Sequence, residues 1–121
     1  MRFLSIVRMN ENSGQMPSAQ LMADMGKLME EMTKAGKLID TAGLTPTAHG
    51  VRVKLAGGKL SHVDGPFAES KEVIGGYAIL EVSSKEEAIE LVERFLKVHG
   101  DGWNIECEVR ELMYHPGATC A

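Results

Sequence analysis

The segment Asp64-Gly65-Pro66-Phe67-Ala68-Glu69-Ser70-Lys71-Glu72 packs four ionisable side chains into nine residues beside a Gly-Pro turn. A carboxylate in a dry pocket has its pKa lifted toward neutrality and can then work as a general acid or base. Asp64 is the candidate for that role. His62 lies two residues upstream, on the same face if the strand continues, and is its candidate partner. Arg52 or Lys71 could hold an anionic substrate group, and Phe67, Glu69 and Glu72 complete a candidate ligand-binding set. A plainer account stands beside this one. Asp commonly organises a turn by accepting the N–H two residues on, but here that residue is Pro66, which has none. Asp64 must then accept from Phe67 N–H or from a group outside the turn. Glu69, Lys71 and Glu72 also suit a solvated face, Phe67 a core plug, and His62 an exposed strand position.

Other chemistries find less support. The four His and two Cys show no metal-ligand spacing, so no metal site is expected. The glycines form turns without a phosphate-cradling pattern, so no nucleotide cofactor is expected. His49 reads as loop, His99 as the end of a helix, His115 as tail, and Cys107 as a buried strand thiol. With 13 Lys+Arg against 17 Asp+Glu, the net charge of −4 argues against a nucleic-acid backbone binder. No apolar window approaches the length of a membrane span, and the N-terminus lacks a signal-peptide pattern, so a cytoplasmic protein with reduced thiols is expected.

These residues need elements to position them. Residues 2–9 read as a strand apolar on both faces. Pro17-Ser18 opens a helix running to Gly36, with Leu21, Met22, Met25, Leu28, Met29, Met32 and Ala35 on one stripe. Four of the eight methionines lie there, as adaptable core filler or as a flexible pocket lining. Residues 37–40 form a short irregular strand. Residues 50–55 and 59–63 alternate in polarity about Gly57-Gly58, which predicts a hairpin. Residues 73–82 form another strand, in which Gly75-Gly76 signals a bulge or a close backbone approach. Ser84 and Glu87 make a capping box for a helix that buries Ala88, Leu91, Val92, Phe95, Leu96 and His99 and stops at Gly100. Trp103, Ile105, Cys107 and Val109 alternate as a last strand.

This order predicts one domain over residues 1–113, with 114–121 a loose tail. The fold class is α+β, a ferredoxin-like two-layer sandwich with an inserted β-hairpin. Two helices cover one face of such a sheet. The other face carries apolar side chains from the first strand, residues 73–82 and the last strand, and burying it against a second copy predicts a homodimer.

Asp64-Gly65-Pro66-Phe67, followed by Glu69, Lys71-Glu72 and Gly75-Gly76, closely resembles the DGPF-type members of the YCII-related family. The Met-rich helix ending at Ala35-Gly36, Gly43-Leu44 and the closing Glu108-Val109-Arg110 extend the likeness over residues 1–113. The resemblance implies a dimeric α+β barrel with a cleft in each protomer, and an association with extracytoplasmic-function sigma factors, to which relatives are fused or beside which they are encoded. The resemblance also implies a His–Asp pair in the cleft, proposed for some relatives, and an action of some on small organic molecules. This chain has no His before His49, so a first-helix histidine is absent, and a dyad here would recruit His49 or His62. Two functions stay open. The favoured one is a homodimeric protein that binds a small organic ligand or a protein partner. The alternative is a cofactor-independent enzyme using Asp64 as general acid or base.

Overall fold

A computed structural model describes residues 1–67 and 72–113. The chain runs β1 (Arg2–Met9), α1 (Ala19–Lys34), β2 (Leu38–Gly43), a 3-10 turn (Thr47–His49), β3 (Val51–Ala56), β4 (Lys59–Asp64), β5 (Val73–Glu81), α2 (Lys85–His99) and β6 (Glu106–Glu111). Four strands form an antiparallel sheet in the order β2-β5-β1-β6, and β3 and β4 pair separately. With the hairpin set aside, this is the strand order of a ferredoxin-like βαββαβ sandwich. Among the described residues no helix is long and apolar enough to cross a membrane.

Each helix starts where its capping residue dictates. Ser18 Oγ accepts Leu21 N–H at 3.0 Å, and Ser84 Oγ accepts Glu87 N–H at 3.1 Å. Glu87 returns the favour one residue earlier than a standard capping box, accepting Ser83 N–H at 2.9 Å, and it also pairs with Lys37 at 3.0 Å. Phe3, Leu38, Leu80 and Val82 from the strand side meet Leu28, Met32, Ala88, Leu91 and Val92 from the helices in one core, where Leu80 is 1% exposed. The expected bulge sits at Gly75: the β1–β5 register slips between Val7 and Arg8, whose partners are Gly76 and Ile74.

Alternation along β1 sends Phe3, Ser5 and Val7 to the helices and Leu4 and Ile6 to the opposite face. There Leu4 meets Ile79 and Ile6 meets Tyr77. Neither helix packs on this side, which the pairs Arg2–Glu81 and Arg8–Glu108 fence. The last strand departs from expectation in two ways. It begins at Glu106 rather than Trp103, because its ladder on β1 ends at the pair Arg8–Glu106 and residues 100–105 form a loop. It also turns Cys107 and Val109 toward the helices, so its share of the opposite face is Glu106, Glu108 and Arg110, charged rather than apolar.

The hairpin turns at Gly57-Gly58, whose φ values of 59° and 77° lie in the region an L side chain avoids. Opposed residues share a face. Val51, Val53, Leu55, Leu60, His62 and Asp64 therefore lie on one side, and Arg52, Lys54, Lys59, Ser61 and Val63 on the other. Every residue of both strands is exposed, with Leu55 at 69% and Leu60 at 73%. A β-ribbon with four large aliphatic side chains in water on one face is an unfinished surface.

Candidate functional site

The sequence candidates gather at the base of this hairpin. His62 and Asp64 share one exposed face of β4, roughly 7 Å apart along the strand. The Asp64 carboxylate makes no hydrogen bond or ion pair with another described residue, so Phe67 N–H finds its acceptor elsewhere. It donates to Thr47 Oγ1 at 3.3 Å, and Gly65 N–H donates to Gly50 O at 2.9 Å. Arg52 and Phe67 are brought together, the guanidinium carbon 3.9 Å from the ring centroid. Phe67 is half-buried in that position and takes no part in the main core. Glu72 is exposed at the approach to β5, while Glu69 and Lys71 lie outside the described residues.

Two further residues organise the turn. Thr47 donates both its N–H, at 2.9 Å, and its hydroxyl to the carboxylate of Glu11, which lies in the loop after β1. These bonds hold the Glu11 carboxyl below the usual glutamate range. Gly65 fits because nothing else would. A Cβ there would sit 1.7 Å from Thr47 O. The turn is thus clamped onto the 3-10 segment, which is clamped in turn onto the β1–α1 loop. Nothing in the local pattern flags Glu11 or Thr47, because the contact joins two loops 36 residues apart.

The second feature is a cavity of about 410 Å³ between the helices and the sheet. Met22, Met25, Met29 and Met32 line it from α1, and Leu91, Val92 and Phe95 from α2. Val7, Ala78 and Leu80 form its floor on the sheet. Gln15, His99 and Trp103 meet at one end, and Ser5, Thr41 and Tyr77 join the lining from the sheet. Gln15 Nε2 donates to Gly102 O at 2.8 Å and so ties the β1–α1 loop to the loop after α2. His99 stands edge-on to Phe95, at 4.9 Å between centroids, and to Trp103, at 5.5 Å. The helical spacing of Phe95 and His99 puts both on one buried face in the sequence, whereas Trp103, expected there as the start of the last strand, joins them from the loop after α2. Cys107 lies on the same side of the sheet, but burial pushes its thiol pKa up, which disfavours the reactive thiolate.

Comparison with known proteins places this architecture. The family model described as the YCII-related domain matches residues 1–111, nearly the whole chain. The chain belongs to the YCII-related family. An uncharacterized protein of Rhizobium meliloti (strain 1021) is 30% identical over 99 residues, a stretch that covers 81% of this chain and 78% of the relative. In this YCII-related domain the Met stripe of α1 therefore does two jobs. Met32 is 4% exposed and belongs to the core, whereas Met25 and Met29 stay half-buried and present polarisable, conformationally adaptable thioethers to the cavity. The cavity and the Asp64–Phe67 turn are separate features of this chain, since among the described residues none of the hairpin or turn lines the cavity.

Proposed function

We propose that this YCII-related protein is a homodimeric binder of a small, largely apolar organic molecule held between its helices and its sheet. The observation that carries the reading is the 410 Å³ cavity, lined by five methionines, with Gln15, His99 and Trp103 at one end. Small-molecule sites have this character: concave, mostly apolar, about 300–1,000 Å³, with a few polar groups to orient the ligand. A methionine lining supports a loosely shape-selective site, because thioether chains repack around different ligands at small cost. The dimer is supported by the face carrying Leu4, Ile6, Tyr77 and Ile79, which neither helix covers, and by Ile74 beside it at 47% exposure.

The single tryptophan makes the test direct, because Trp103 lines the cavity. Titration with para-propylanisole should change Trp103 emission and raise the melting temperature. The expected dissociation constant is on the order of 100 μM, from about 0.5 kcal/mol per non-hydrogen atom. The variant Ala78→Leu places three further carbons in the cavity and should weaken that binding at least tenfold while the protein stays folded. Unchanged affinity in the Ala78→Leu protein would show that the ligand sits elsewhere. No response from either protein to a panel of such molecules would remove the reading altogether.

A further inference from the structure

Resting on the cavity reading, we infer that His99 is the polar anchor of the site, and that the ligand class is an apolar molecule bearing one hydroxyl, donated to His99 Nε2. The ring's chemistry is set by its other nitrogen. His99 Nδ1 lies 2.9 Å from Phe95 O, and a carbonyl oxygen only accepts, so the proton of the neutral ring resides on Nδ1. Nε2 is then a lone-pair acceptor. It has no hydrogen-bond partner among the described residues, although the ring is half-buried and lines the cavity. Edge contacts with Phe95 and Trp103 hold the ring on both sides, so little ordering cost remains when a donor arrives.

The other polar groups around the cavity are differently placed. Thr41 Oγ1 donates to Tyr77 O at 2.9 Å, and the Gln15 amide N–H donates to Gly102 O at 2.8 Å. Thr41 thus spends its hydroxyl donor within the chain, Tyr77 OH donates to Asp40 at 2.9 Å, Ser5 is bonded to the Cys107 thiol, and Gln15 commits one of its two amide N–H groups. Met25, Met29 and Leu91 offer only apolar contact. His99 therefore supplies an oriented acceptor at one end of the cavity, and the methionines with Leu91, Val92 and Phe95 receive a hydrocarbon body. A charge set among the methionines would be costly to desolvate, so the class assigned is a neutral hydroxyl compound.

The experiment compares para-propylphenol with para-propylanisole, two ligands of nearly one shape, of which only the phenol donates. Trp103 emission and calorimetry read the binding to wild type, His99→Phe and His99→Gln. Wild type should prefer the phenol by about five- to tenfold, the worth of one net hydrogen bond. His99→Phe keeps an aromatic edge and loses the acceptor, so the preference should vanish while the anisole still binds. His99→Gln restores an acceptor and should recover part of the preference. Equal affinity for both ligands in wild type, or an undiminished phenol preference in His99→Phe, overturns the role of His99 and leaves the cavity reading standing. Failure of both ligands to bind wild type is the separate result that removes the cavity reading. Should His99→Phe not fold, the wild-type preference and its response to His99→Gln decide the matter, and an unaltered preference in His99→Gln alongside any replacement lacking an acceptor counts against the anchor.

Discussion

Replacing Gly65 by Ala adds one methyl group, and the structure puts that methyl 1.7 Å from the carbonyl oxygen of Thr47. The obstacle is backbone, so no rotamer change relieves it. Either the 3-10 turn or the residue 65 turn has to move, and whichever moves breaks the contact between them. What is lost can be bounded. Gly65 N–H to Gly50 O and Phe67 N–H to Thr47 Oγ1 are two hydrogen bonds, worth about 1 kcal/mol each net. The Arg52–Phe67 stack adds about 0.5–1 kcal/mol. Docking of the turn is then worth about 3 kcal/mol, and the variant escapes the overlap by giving that up rather than by unfolding the core. Native-state hydrogen exchange is the assay suited to a local opening. The amides of residues 65 and 67 should exchange about a hundredfold faster in Gly65→Ala, while those of β1 and β5 keep most of their protection. The same substitution at Gly26 is the control. Gly26 lies in α1 with nothing within 4 Å of a Cβ, so Ala should stabilise by about 0.5–1 kcal/mol through helix propensity. That raises the melting temperature by about 2–4 °C in a chain this size. Wild-type protection at residues 65 and 67 in Gly65→Ala would refute the argument that the close approach selects glycine.

Acid should loosen the same clamp from its other end. Hydrogen bonds from Thr47 depress the Glu11 pKa in the folded chain, so the ionised form contributes stability above the ordinary carboxylate range and loses it as pH falls through the lowered folded value. Glu81 and Glu87 shift in the same direction and titrate alongside, so the share of Glu11 must be read as a difference. In urea unfolding, the stability gap between wild type and Glu11→Gln should shrink as pH falls; a gap constant across that range would deny Glu11 this role. Assembly has its own test. Leu55 and Leu60 are 69% and 73% exposed on one hairpin face, so Leu55→Thr with Leu60→Thr should leave the protomer's fold intact. Sedimentation equilibrium should show Ile6→Lys, on the uncovered sheet face, dissociating a dimer at micromolar concentration. It should show the hairpin pair weakening that dimer if the ribbon joins the same interface, and a monomeric wild type would end the homodimer proposal.

Most of the fold was legible because its signals are local. Ser18 and Ser84 announce their helices by capping chemistry, the Met stripe keeps one period through α1, and Gly57-Gly58 names the hairpin turn. Where the reading slipped, a tertiary choice decided. Trp103 alternates correctly with the residues after it, yet it leaves the strand because in the β1–β6 register it would fall past Met9, where β1 ends, and the His99 ring offers an edge. The apolar residues of β6 could have faced either side of the sheet, and only its register against β1 assigns them to the helices. The site was less legible for a related reason. A run of ionisable residues is visible in one line of sequence, whereas a cavity is assembled from seven segments that share no pattern.

The two features are joined by one loop, and this gives the ionisable turn a physical part whatever chemistry it does. Residues 10–18 connect β1 to α1, and two of their side chains reach out in different directions. Glu11 grips Thr47 and through it the turn at Gly65 and Phe67, while Gln15 grips Gly102 at the His99 end of the cavity. Only three residues separate the two anchors, so both bear on one short stretch of loop. The hairpin, whose apolar face awaits a covering surface, is attached to the core through that same turn. A surface that seats the hairpin would press on the turn, hold Thr47 against Glu11, and steady the loop that carries Gln15 beside His99 and Trp103. On the proposed dimer and cavity reading, Glu11 couples assembly to ligand binding, and its protonation at low pH is expected to change Trp103 emission as well as stability in urea.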